Sequence, residues 1–199
     1  MKRTVCLGAC AVFLCSILFG QQQQQQQMPP DQKAAMDAMM KAAAPGEAHK
    51  RLASFAGTWD ATVKTYMQPG QPPQVSHGTA VNKAILGGRY VEQDFNGDFM
   101  GMPFSGVGYW GYDNLKKQYV ATWMDNMGTG VMTMIGTSDN PNSYTFKGSA
   151  PDPMTGKDTP FEERWTVADP DHHSFEMWGP SPDGKMFKMM EISYTRKKS

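Results

Sequence analysis

The groups in this sequence with chemistry to offer are carboxylates that share a strand face with aromatic rings. Asp125 alternates with Trp123, Ala121 and Tyr119. Glu92 alternates with Tyr90 and Asp94, Glu163 with Trp165, Glu176 with Trp178, and Glu191 with Met189 and Phe187. Successive side chains on a strand point to opposite faces, so each set lies on one face. A carboxyl on such a face is either a rim group paired in water or part of a polar cluster lining a cavity. Inside a cavity, burial raises its pKa and equips it as a general base. Glu92, Asp125 and Glu191 are the candidates for that work. Arg164 or Arg89, if turned inward, would hold an anionic head group through paired hydrogen bonds. Both faces of these strands carry apolar residues, so periodicity alone does not select the inward one.

The densest stretch is Gly101 to Asp125, which holds Tyr109, Trp110, Tyr112, Tyr119 and Trp123. It reads as two strands and a turn. Glycines 106, 108 and 111 in its first strand are expected to serve curvature. Alternation puts Phe104, Trp110 and Tyr112 on one face of that strand, and Tyr119, Trp123 and Asp125 on one face of the next. At most half of these aromatics can line a cavity. Trp123 with Asp125 is the expected ligand-facing pair, joined by Trp110, Trp165, Phe104, Arg164, Glu92 and Glu191. Abundant methionine near the strands suits either an adaptable cavity or ordinary core filling.

Other chemistries find little support. The histidines are His49, His77, His172 and His173, with no His-x-His and no His-Glu-x-x-His. Tetrahedral zinc wants three or four protein ligands, so no metal site is expected. His172 and His173 follow a turn, and one should point in and the other out. His77 is the strand histidine placed to reach a haem, and nothing else supports one; no cofactor is expected. There is no Gly-x-Ser-x-Gly elbow, and Gly106-Val107-Gly108 leads into a strand rather than a helix, so it is not a phosphate loop.

The elements that must position these groups are short strands. TWDATVKTYM alternates from Thr58, and about nine more segments of strand length follow. Turn signals separate them, among them Gly87-Gly88, Asn96-Gly97, Asp113-Asn114, Asp169-Pro170-Asp171 and Pro182-Asp183-Gly184. Regular short strands with polar turns predict an antiparallel sandwich or barrel, and closure into a barrel removes exposed edges. The fold class expected is therefore all-β: an antiparallel up-and-down β-barrel of about ten strands, preceded by one or two short N-terminal helices.

Residues 1–20 read as a signal peptide: Lys2 and Arg3, an uncharged apolar run from Thr4 to Phe19, and Gly20. The run is short for a membrane span. Cys10, in Leu7-Gly8-Ala9-Cys10, superficially resembles a lipoprotein cleavage box, but too little apolar sequence precedes it, and soluble export is favoured over that or a retained anchor. All three cysteines lie in this segment, so the mature chain is free of thiols, which suits an oxidising compartment. The expected location is periplasmic or extracellular. Residues 21–30 form a Gln/Pro low-complexity linker. Residues 31–50 form a helical segment in which Met36, Met39 and Met40 make a narrow apolar stripe, and residues 51–199 form the barrel. The chain has 19 basic and 19 acidic side chains; loss of Lys2 and Arg3 leaves 17 against 19. No basic stripe survives, which excludes nucleic acid as the expected partner.

Phe55-Ala56-Gly57-Thr58-Trp59, a short helix running into a Gly-x-Trp, resembles the entry of the lipocalin and fatty-acid-binding-protein superfamily. In that superfamily the Trp plugs the closed end against a basic residue near the end of the last strand. Gly57, Trp59 and Arg196 match that pattern, and arginine over indole is a favourable pair. The stretch from about His49 to Lys198 is similar to the bacterial domain of unknown function 1579 family. The similarity rests on Leu86-Gly87-Gly88-Arg89-Tyr90, Pro103 to Gly108, Gly111-Tyr112-Asp113, Trp123-Met124-Asp125 and Glu191 to Arg196. The resemblance implies a lipocalin-like barrel and supplies no catalytic residues. The expectation is an exported barrel that binds a small, largely apolar or amphipathic molecule. The alternatives are a carboxylate-dependent hydrolase or isomerase and a solid-core interaction domain.

Overall fold

The computed structural model describes residues 29–153 and 155–198. The signal peptide and the glutamine run up to residue 28 lie outside the described residues. The chain divides into two compact units, Met1–Ala38 and Met39–Ser199. In the first, the described residues are the leading part of helix α1 (Pro30–Ala43), which has Asp31 in its first turn, Lys41 in its last and no buried residue. The charges suit the helix dipole. The methionine stripe of Met36, Met39 and Met40 is exposed.

The second unit holds helix α2 (Glu47–Ala53) and the strands. These are β1 (Gly57–Thr65), β2 (Gln74–Ile85), β3 (Tyr90–Phe99), β4 (Met102–Asp113), β5 (Gln118–Asp125), β6 (Met132–Asn140), β7 (Ser143–Pro151), β8 (Asp158–Asp169), β9 (His172–Pro180) and β10 (Met186–Arg196). Each strand pairs antiparallel with the next, and β1 pairs with β10, so the sheet closes into a ten-stranded barrel. Closure gives every one of these strands a partner on both sides and so avoids the exposed edges of an open meander. Period-2 alternation sets the inner face. In β1, Trp59, Ala61 and Val63 are buried, and in β8, Phe161, Glu163 and Trp165 are. The β3–β4 connection is a tight turn in which Met100 and Gly101 both have positive φ (55° and 81°), the conformation that suits the right-handed twist of a two-residue hairpin.

One end of the barrel is plugged. Trp59 is 2% exposed, and its indole N–H donates to the Phe55 carbonyl at 2.9 Å, which also accepts from Asn82 at 3.0 Å. The Arg196 guanidinium lies 4.0 Å from the Trp59 ring centre. It donates to the carbonyls of Ala56 (2.7 Å), Pro170 (2.9 Å) and Ser54 (3.1 Å). Helix α2 seats His49 and Leu52 in the same end, and Arg51 donates to the Tyr119 hydroxyl at 3.2 Å. Arg89 and Asn114 donate to the carbonyls of Ala42, Ala43 and Ala44, which pins the segment leading into α2 against the barrel.

Candidate functional site

The other end leads into a cavity of about 280 Å³. Its deep wall is Trp110, Trp165, Phe175 and Tyr194, from β4, β8, β9 and β10. Its mouth is formed by Phe99, Phe104, Trp123, Asp125 and Met127, with Asp98 at the rim. Met132, Met134, Met177 and Met190 fill the sides. The deep rings lock one another: Trp110 meets Trp165 edge-on at 5.1 Å, and Trp165 meets Phe175 edge-on at 4.9 Å. Edge-on contacts of this kind place the positive rim of one ring against the negative face of the next.

At the mouth, Trp123 stacks on Phe104 and donates its indole N–H to Asp125 at 2.8 Å. The second oxygen of Asp125 accepts from the Met127 backbone at 3.0 Å. This carboxylate therefore positions a ring and a turn. Trp123 lies against β4 at Gly106 and Gly108, where any Cβ would overlap the indole. Two of the three glycines expected to serve curvature, Gly106 and Gly108, are thus the seat of the mouth tryptophan, and the third, Gly111, lies against Tyr90.

Trp123, Asp125, Trp110, Trp165 and Phe104 all line the cavity. Arg164, Glu92 and Glu191 do not: the strand parity that turns their neighbours inward turns them out. Arg164 lies between Glu163 and Trp165 on β8, pairs with Glu162 at 2.7 Å, and covers the outer Trp178 at 4.9 Å. Glu92, between inward Val91 and Gln93, faces Tyr109 across the β3–β4 pair and raises the pKa of its hydroxyl. Glu191 sits outside beside inward Ile192, held by Lys188 and Lys64 at the protein surface. Lys188 foremost, then Lys64, lower its pKa, while Lys188 itself is raised to about 12, chiefly by Glu191. These paired groups are not poised bases.

The group that reaches the deep cavity is Glu163, 6% exposed, flanked across the sheet by Phe146 and Met177. Burial raises its pKa to about 7; the Trp165 indole beside it opposes the rise only in part. That indole N–H is buried and has no partner in hydrogen-bonding geometry. Tyr194 is pushed up too, by burial first and then by the charge of Glu163. The sequence signal for Glu163 is the contrast within Phe161-Glu162-Glu163-Arg164-Trp165: one parity is apolar apart from Glu163, and the other is wholly charged. Gln93, buried and bonded to Asn82 at 3.1 Å, and Tyr194 are further lining groups that sequence reasoning did not pick out.

His77 lies exposed on the outer face, so the strand histidine considered for a haem is not in the barrel. The inward histidine is His173, while His172 is exposed and pairs with Asp169. His173 stacks on Tyr194 at 4.5 Å and meets Trp59 edge-on at 4.2 Å. Burial, then the charge of Arg196, lowers its pKa to about 3. Among the described residues no three His, Cys, Asp or Glu side chains cluster as a metal site would require. No described helix is long and apolar enough to cross a membrane.

Known proteins resemble this chain in sequence or in fold. The model of the family described as "Protein of unknown function (DUF1579)" matches residues 44–196. The crystal structure of Rv2717c from M. tuberculosis is similar with a TM-score of 0.57 at 15% identity, covering 78% of this chain and all of that one. A redesigned beta barrel, b11L5F_LGL, gives a TM-score of 0.40 at 16% identity over 78% of this chain and all of the other. EF1p2_mFAP2b, bound to DFHBI, gives 0.41 at 14% identity over 74% of this chain and 98% of that one. No curated protein matches.

Proposed function

The chain belongs to the DUF1579 family, and from that premise we propose that it is an exported barrel that takes up a small, largely apolar molecule in its cavity. The observation that carries this reading is the cavity of about 280 Å³, walled by Trp110, Trp123, Trp165, Phe104 and Phe175 and entered from one end. Ligand sites are concave and mostly apolar, with a few placed polar groups, and typical volumes begin at about 300 Å³. Here the polar groups include Asp125 at the mouth and Glu163 in the depth. The N-terminal charge and apolar run are the support for export.

A carboxylate-dependent hydrolase or isomerase is the second reading. The observation that favours it is the raised pKa of Glu163, since a general base works best near the operating pH. Glu92 and Glu191 give it no support, because they lie outside the cavity.

Titration with the uncharged fluorophore N-phenyl-1-naphthylamine tests the binding reading. Three tryptophans line the cavity, so an occupant should quench tryptophan emission and saturate at one molecule per chain. Native mass spectrometry of protein purified from its own host should show a noncovalent adduct. No saturable binding and no adduct would overturn the reading.

A further inference from the structure

The carboxyl of Glu163 is buried, yet among the described residues no cation pairs with it. What acts on its proton is burial itself, opposed in part by the Trp165 indole. Among the described residues the cavity lining contains three carboxyls, Glu163, Asp125 and Asp98, and no Lys, Arg or His. Asp125 and Asp98 are engaged in turn hydrogen bonds, with Met127 and Gly101 respectively. Glu163 is the one left open. Buried carboxyls are otherwise paired, and an unpaired one in an aromatic cavity is matched in chemistry by an opposite charge.

We propose that the cavity selects ligands that carry a single protonated amine on an apolar skeleton, with the ammonium seated at Glu163 beside Trp165 and Tyr194. This rests on the binding reading above and names the ligand class. The aromatic faces attract a cation through their quadrupoles, most strongly where water is excluded. The carboxylate supplies a charge-assisted hydrogen bond. Asp98 and Asp125 at the mouth favour the entry of cations over anions. The apolar tail lies along Met132, Met177 and Met190, whose flexible side chains adapt to its shape.

The protonation of Glu163 supports the assignment. Empty, it titrates at about 7 because burial disfavours its charged form. An ammonium beside it favours that form, so the proton leaves and an ion pair remains. Two ionisable groups close to Glu163 do not compete for the ammonium: the Tyr194 hydroxyl stays protonated, and His173, behind Trp165 and outside the lining, stays neutral down to about pH 3.

The test uses n-decylamine, n-decanol and decanoic acid, matched in tail and differing in head, titrated by calorimetry into the full chain and its Glu163→Gln variant. The amine should bind at least about tenfold more tightly than the alcohol at about pH 8, with a smaller ratio at about pH 6. In Glu163→Gln, shown to be folded by circular dichroism, the ratio should fall to about one. Equal binding of amine and alcohol overturns the proposal and leaves the binding reading intact. So does tightest binding by decanoic acid, or retention of the amine preference in the variant. Failure of all three compounds to bind overturns both.

Discussion

Glu163 and His173 are buried in one barrel where burial favours the neutral form of each, and because one is an acid and the other a base they tie stability to pH with opposite signs. In the unfolded chain Glu163 titrates near its ordinary 4.5; folded, it titrates at about 7. The folded state therefore holds a proton that the unfolded chain has released, and this group's contribution is fully present below about 4.5 and lost as pH rises to about 7. His173 runs the other way. Its folded value of about 3 lies below the ordinary 6.5, so its contribution is full above 6.5 and lost as pH falls toward 3. Each tenfold difference in proton affinity between the folded and unfolded chain is worth about 1.4 kcal/mol. Between 4.5 and 6.5 the two slopes oppose, and the wild-type stability profile should be shallow there. Glu163→Gln removes one of them. Urea midpoints should show the variant more stable than wild type by up to about 3 kcal/mol above about pH 7, with the gain shrinking toward about pH 4.5. In the variant, stability should also fall more steeply on acidification. A variant less stable than wild type at high pH, or one whose difference ignores pH, would contradict the placement of Glu163 as an unpaired buried carboxyl.

At the scale of elements, the join of β1 to β10 carries the closed end. Trp59 faces Arg196 in the register, and the guanidinium covers the indole while capping three carbonyls from separate positions along the chain. Gly57 makes room: its φ is +135°, and a Cβ there would overlap the guanidinium. Arg196→Ala should destabilise the barrel by about 1–3 kcal/mol, since it removes a partly shielded cation–π contact and the donor to one half-buried and two exposed carbonyls. Arg196→Lys should recover less than half of that, because one ammonium cannot span three acceptors. Chemical denaturation of both variants measures it, and a neutral alanine variant would refute the plug. This much was legible through the resemblance to the entry of the lipocalin superfamily, whose pattern pairs a Gly-x-Trp at the first strand with a basic residue near the end of the last. The glycine seat under Trp123 was not, because it exists only once Gly108 is registered opposite Trp123. The outward placement of Glu92, Arg164 and Glu191 was hidden for a different reason. Tyr90 and Trp178 share the outer face with Glu92 and Arg164, and a bulge between Lys188 and Met190 breaks the alternation before Glu191, so aromatic and apolar company did not mark the interior. Strand number and turn positions were readable because each depends on a few neighbouring residues; the inward face depends on closure of the whole sheet.

For the barrel as a whole, the two ends differ in kind, and methionine reports the difference. The closed end is hydrogen-bonded and aromatic. The open end carries Met67, Met100, Met102, Met127 and Met186, each about half exposed, in or beside the turns that ring the mouth. Inside lie Met132, Met177 and Met190 along the cavity, and Met134, 2% exposed, in its wall. Oxidation of a thioether needs access to its sulfur, so limited peroxide treatment followed by peptide mapping reads out this gradient. The rim methionines should oxidise first, the cavity methionines more slowly, and Met134 only on unfolding. An occupied cavity excludes peroxide from Met132, Met177 and Met190 but leaves the rim open. Saturation with a bound molecule should therefore slow oxidation of those three by about tenfold or more, with rim rates unchanged. Equal slowing at the rim and within would place the molecule on the outer surface of the mouth. Slowing at neither would mean that the cavity stays empty, and selective protection of the inner set would tie occupancy to the space between Trp165 and Trp123.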